Sequence, residues 1–221
     1  MLEARQNVIN AVKMIMEVFS AMKFKPGAGL PEIEDEYQDR VQSAMENYIE
    51  GDRAITKFKN QFRRVVNDGF FMAATAGWAD GGNGGAISDD LTKYVNEQIQ
   101  REIAFVDDLF ADLRTMRASD KPDEDKAKYI ADRSSGYTKT IQGIYNYAKM
   151  LAQRNREGRW ELGATENHCS TCGSLNGQVH PLTWFVSNGF IPRQAGSRTL
   201  ECHGYYCDCR IVDPKTGEQL I

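Results

Sequence analysis

The chain has 221 residues, 41% hydrophobic and 26% charged, which is the make-up of a folded protein and excludes wholesale disorder. Its 27 basic and 31 acidic residues leave a formal charge of −4. This excludes a surface that grips nucleic acid all over, since phosphate neutralisation needs a concentrated excess of Lys and Arg, and leaves only a local basic face open. No apolar run reaches the roughly 20 residues that span a bilayer. Glu3, Asn7 and Asn10 interrupt the place where the apolar part of an export signal would lie, so the sequence predicts a cytoplasmic protein with no membrane partner.

Apolar residues at Val8, Ile9, Val12, Ile15, Met16, Phe19 and Met22 predict a first helix over 3–24, stopped by Lys25, Pro26 and Gly27. A second is expected from about Glu32 to Ile49, and a third from about Ala54 to Ala76 through Phe58, Phe62, Val65, Val66 and Phe70. The glycine-rich run from Ala79 to Ala86 reads as a flexible loop. It imitates a calcium loop only poorly, because the third and fifth positions are glycine and the twelfth is Leu91 instead of glutamate. Ser88, Asp89 and Asp90 make a helix start. One long helix is then expected, with Leu91, Tyr94, Val95, Ile99, Ile103, Val106, Leu109, Phe110 and Leu113 as its buried stripe. After Lys121 and Pro122, Asp123 is a candidate cap for a last helix over about Glu124 to Arg154, with Gly136 and Gly143 weakening its interior.

From Arg159 the texture changes to short apolar runs, glycines, prolines and cysteines. The expected organisation is a helical body, 1–157, and a small C-terminal α+β module, 158–221, in a mainly α fold. All five cysteines fall between Cys169 and Cys209. An odd number crowded into the tail of a chain without an export signal argues against a disulfide framework and for a metal. Cys169 and Cys172, three positions apart on a tight turn, can both point at one ion about 2.3 Å away, and a distant pair would complete a tetrahedron. The expected zinc ligands are Cys169, Cys172, Cys202 and Cys207, with Cys209 and His203 in reserve. A small module with little core gains folding free energy from such an ion. With this many thiols a closed, structural site is expected, and no catalytic residue is assigned. Trp160, Trp184, Phe185 and Phe190 are expected to form the module's own core.

Trp160-Glu-Leu-Gly163, Glu166-Asn-His-Cys169-Ser-Thr-Cys172, Leu175-Asn-Gly177-Gln-Val-His180 and the closing Cys202-x4-Cys207-x-Cys209-Arg210 together resemble the C-terminal signature of phage head morphogenesis or minor head proteins, of the phage Mu F-like minor capsid type. The likeness is specific over about 158–213 and loose back to about residue 60. Asp208 departs from it, standing where arginine is common, and the third ligand is left open between Cys202 and His203. The resemblance implies a non-enzymatic structural component of a tailed phage or prophage, in the virion head or procapsid, and in the host cytoplasm during assembly. It further implies capsid assembly, DNA packaging or delivery near the portal, with portal or major capsid protein as partner, DNA as a second partner, and self-association into a homo-oligomer.

A rival reading is a zinc-dependent nucleic-acid-binding module. Arg53, Lys57, Lys59, Arg63 and Arg64 form the densest basic stretch, and Lys149, Arg154, Arg156 and Arg159 a second one beside the cysteines. A solvated helix face explains the first stretch as well.

Overall fold

A computed structural model describes residues 28–221, apart from 52, 53, 165, 166 and 206. The first predicted helix, 3–24, lies outside the described residues. The fold is mainly α, with a small C-terminal sheet beside a cysteine cluster. Helix α1 is Leu30–Ile49, α2 Ile55–Asp80, α3 Asp89–Ala104, α4 Val106–Ala118 and α5 Asp123–Ala152.

Helices α1, α2 and α5 pack on one another as the centre of the body, with α3 against α2 and α4 across α1. Their stripes of Ile33, Tyr37, Val41, Phe62, Val66, Phe70, Ile141 and Ile144 supply the core, each almost fully removed from water. Where α1 ends and α2 begins, the rings of Tyr48, Phe58 and Phe110 meet with centroids 5.1–6.3 Å apart. Arg40 donates to the buried carboxylate of Asp68 at 2.7 Å, so that charge is not left unpaired.

Along α2, Gly69, Ala73, Gly77 and Gly81 recur every fourth residue, one row of a helix surface. A Cβ on Gly77 would stand 2.2 Å from the Tyr145 carbonyl oxygen, and one on Gly81 would stand 2.3 Å from the Ala152 Cβ. The missing side chains let α2 and α5 approach closely.

The structure departs from three expectations. The long fourth helix is two, because Phe105 (φ −89°, ψ −3°) closes α3 and opens α4, its ring 61% exposed. The stripe runs at a spacing of four through Leu91, Val95 and Ile99 and resumes at Val106, seven residues on, so the bend re-aims the second half at α1. Asp123 is the first residue of α5 and not its cap; it contributes charge at the positive end of the helix dipole instead. Helix α2 runs on to Asp80, and the glycine loop after it is pinned. Asn83 donates to the Ala152 carbonyl at 3.0 Å, satisfying a helix-end acceptor, and Tyr145 donates its hydroxyl to Asp80. Ser88 caps α3 as expected, accepting from the Leu91 N–H.

The C-terminal module is a three-stranded antiparallel sheet in the order β2-β1-β3, of β1 Glu157–Glu161, β2 Val179–Pro181 and β3 Arg210–Val212. It carries two one-turn-scale helices, α6 Ser170–Leu175 and α7 Leu182–Ser187. In β1 the inward positions are Gly158 and Trp160, opposite His180 and Ile211. Trp160 and Phe185 are fully buried, while Trp184 and Phe190 pack on them partly exposed. Met150, two residues before the end of α5, belongs to this second core and ties it to the body.

The seam between body and module is specific. Gly143 faces the backbone of Gln194, where a Cβ would come to 2.9 Å of its Cα. Gln194 donates from Nε2 to the Tyr94 hydroxyl at 2.6 Å, and buried Asn146 donates to the Pro192 carbonyl at 2.9 Å. Among the described residues no helix is long and apolar enough to cross a membrane.

Candidate metal centre

The cluster is built from three pieces of chain that the sheet and α6 bring together. Cys169 is the N-cap of α6, its Sγ accepting from the Cys172 N–H at 3.4 Å, which places both sulfurs on the first turn. Glu201 fixes the second piece, since its carboxylate accepts from the Ser170 N–H at 2.8 Å and from the Ser170 hydroxyl. Its own N–H is donated to the Thr171 hydroxyl at 3.3 Å. Cys202 follows directly. The third piece, Cys207 to Cys209, leads into β3. It is held by Asp208, which pairs with Arg193 and accepts from the Ala164 N–H at 3.3 Å. Asp208 is therefore a local tie.

Two glycines set how closely these pieces meet. A Cβ on Gly163 would lie 2.1 Å from the Asp208 carbonyl oxygen, and one on Gly204 would lie 1.9 Å from the Gln194 carbonyl oxygen, with Gly204 also at φ +72°. Gly163 thus brings the end of β1 onto the Cys207–Cys209 segment, and Gly204 seats the Cys202 turn on the seam.

All five cysteines are free thiols. Cys172 and Cys209 are buried, while Cys169, Cys202 and Cys207 are partly exposed. The Sγ atoms of Cys169, Cys172 and Cys202 lie mutually within 4.8 Å, as do those of Cys172, Cys207 and Cys209. At metal–sulfur bonds of about 2.3 Å, sulfurs round a tetrahedral ion stand about 3.8 Å apart, so this cluster can hold a metal ion. All four expected ligands lie in the cluster. Cys209, expected as a reserve, is as much a member as they are. His203 sits in neither triad: its backbone is left-handed (φ 51°), and its Nδ1 lies 2.9 Å from the Ser197 carbonyl, as a donor in the matching tautomer. The ring of His180 stacks on Trp184 with centroids 3.7 Å apart.

The thiols divide, with Cys169 and Cys209 held down and Cys172 and Cys202 pushed up. Hydrogen bonds from Cys172 and Cys207, joined by the Gly163 N–H, bring the Cys209 thiol down to about 3. Cys172 is pushed far up as the donor to Cys207 and Cys209, with burial adding to the effect. Burial works against the Cys169 thiolate, but bonds from Cys172 and Cys202 outweigh it and leave that thiol lowered. Among the described residues the buried Trp160 Nε1–H has no hydrogen-bond partner. The sequence identifies Trp160 as core and Gly163 as part of a motif. The Glu201 clamp and the Asp208–Arg193 pair carry no signal in spacing.

The basic stretches are engaged only in part, since Lys57, Arg63 and Arg64 are exposed. Arg53 lies outside the described residues, and Lys59 pairs with Asp107. Arg156 pairs with Asp213 at 3.0 Å and Arg159 with Glu161 at 2.7 Å, leaving Arg154 exposed. Compared with family models, curated proteins and solved structures, the chain matches none of them.

Proposed function

We propose that the chain is a structural, non-enzymatic minor head protein of a tailed phage or prophage, with zinc as a structural staple of its C-terminal module. It would act near the portal in capsid assembly, DNA packaging or delivery, in the procapsid or virion head. The observation that carries the reading is the coincidence of signature and site. Trp160, Gly163, Cys169, Cys172, Cys207 and Cys209, which carry the family resemblance, are also the residues that assemble the thiol cluster. Zinc is the ion that closed, thiolate-rich structural sites ordinarily hold. A staple suits a module of this size, whose few buried side chains gain fixed geometry from a bound ion.

In this reading the helical body supplies the docking surface for the portal or major capsid protein, and the seam at Gln194 and Asn146 fixes the module's orientation on it. The nucleic-acid alternative has less support, because Arg156 and Arg159 are already paired with carboxylates. The test is mass spectrometry of purified particles and of assembly intermediates, with zinc analysis of the same material. The chain is expected in at least one of them, with stoichiometric zinc. Its absence from both overturns the assembly role.

A further inference from the structure

A tetrahedral ion uses four thiolates, whereas the module has five, arranged as two triads that share Cys172. Among the described residues no fourth sulfur, histidine or carboxylate joins either triad within the same 4.8 Å. Two three-sulfur sites with one sulfur in common use five thiols, the number present. The odd count, unexplained by a single tetrahedral ion, is then accounted for.

We propose that the cluster binds two soft, thiophilic ions of the cuprous type, one in each triad, with the Cys172 sulfur bridging them. The proposal rests on the reading of these thiols as metal ligands; the two cuprous ions take the place of the single zinc ion, which uses only four of the five thiols. Three sulfurs in a plane round one ion, at bonds of about 2.3 Å, stand about 4 Å apart, which fits inside each triad. Thiolate selects soft ions, and a cuprous ion is satisfied by three such ligands, whereas zinc in either triad would still need a fourth. Cys172 is placed for a bridge: it is 2% exposed, it sits on the first turn of α6, and its sulfur lies within 4.8 Å of those of Cys169 and Cys202 in one triad and of Cys207 and Cys209 in the other.

Five thiolates around two monovalent ions keep an excess of negative charge, and the Cys172 N–H, which donates to the Cys169 sulfur at 3.4 Å, offsets part of it. Binding involves no redox change: the copper enters and stays in the cuprous state, each thiol still protonated releases its proton to solvent, and metal–sulfur bonds replace S–H bonds.

The test uses the full reduced chain, metal-free and under anaerobic conditions, titrated with cuprous ion against a competing chelator. It is read by native mass spectrometry and copper-edge X-ray absorption. The expected result is two ions retained through gel filtration, about three sulfurs per copper, and a copper–copper distance in the scattering. Cys209→Ser and Cys202→Ser each leave one triad intact and should lower the retained ions from two to one. Cys172→Ser leaves no three-sulfur site and should abolish the copper–copper scattering and lower the sulfur count per copper to two. Helix content by circular dichroism checks that each variant keeps its body; if a variant does not fold, the wild-type stoichiometry and scattering decide. One ion at saturation with four sulfurs overturns the two-ion site while leaving the zinc staple standing. A chain that binds neither copper nor zinc overturns both.

Discussion

The same substitution, glycine to alanine, should act with opposite sign at two helix positions. In a helix interior, alanine is favoured over glycine by about 1 kcal/mol. At Gly136, exposed on α5, an added Cβ meets nothing within 4 Å, so the whole gain is realised and Gly136→Ala should stabilise by about 1 kcal/mol. At Gly77 the added Cβ would stand 2.2 Å from the Tyr145 carbonyl oxygen, 3.0 Å from its carbonyl carbon and 3.1 Å from the Ala148 Cβ. The obstructing oxygen belongs to helix backbone, which cannot swing aside as a side chain would. Relief requires α2 and α5 to part by about 1 Å, which loosens the packing around Ala73 and Ala148; overpacking of this kind costs about 1–3 kcal/mol. The cost offsets or exceeds the propensity gain, and Gly77→Ala should destabilise by up to about 2 kcal/mol. The two variants should therefore differ by about 1–3 kcal/mol, measured as midpoint shifts in urea unfolding followed by far-UV circular dichroism at unchanged slope. If Gly77→Ala stabilises as much as Gly136→Ala, the close approach of the two helices is wrong.

Three further outcomes follow from buried groups and the cluster. Burial pushes Glu102 up to about 7 from 4.5, so the folded state holds a proton that the unfolded chain has released. The stability from keeping it neutral is full below about 4.5 and is lost as pH rises to about 7. Glu102→Gln should flatten that slope and raise stability at pH 8 by an amount on the order of 1–3 kcal/mol, read by urea melts at pH 5 and pH 8; an unchanged slope would refute the assignment. Among the described residues the buried Tyr37 hydroxyl has no hydrogen-bond partner, so Tyr37→Phe should be neutral or stabilise by up to about 1 kcal/mol, whereas a loss of more than that would mean a partner exists. Bound zinc should leave on acidification or on adding a chelator, because thiolates must be protonated to release it. Near-UV signal from Trp160 and Trp184 should then fall while the helical signal of the body persists; a module that keeps its order without metal contradicts the staple.

Much of the body is legible because periodic burial is written directly into side-chain type, as in the stripe from Phe58 to Phe70 and in the Ser88 cap. The break at Phe105 is not. A buried stripe continues on either side of it, and only the geometry of α1 decides that the second half must turn. Gly143 reads as a weak point of α5 because propensity knows nothing of Gln194, whose backbone occupies the space of the missing side chain. The cysteine cluster is visible as a cluster, since an odd number of thiols crowded into a short span argues for a metal over a disulfide framework. Its internal order is not, because the nearest neighbours of Cys172 are set by the pairing of β1 with β3 and by the Gly163–Asp208 contact. His203 illustrates the same limit: it neighbours Cys202 in sequence, yet a left-handed turn sends its ring to the Ser197 carbonyl.

The middle strand of the sheet is also the first of the three to leave the ribosome. Domains tend to fold in order of synthesis, and α1 to α5 are complete at Ala152, before any of the sheet exists. Glu161 of β1 then waits for Arg210, 49 residues further on, with both of its edges open. Charged side chains at Glu157, Arg159 and Glu161 alternate along that strand, and such charges discourage pairing with a neighbouring nascent chain. Co-translational assembly should thus proceed in two stages, with the finished helices as the template on which the thiol-bearing segments close last.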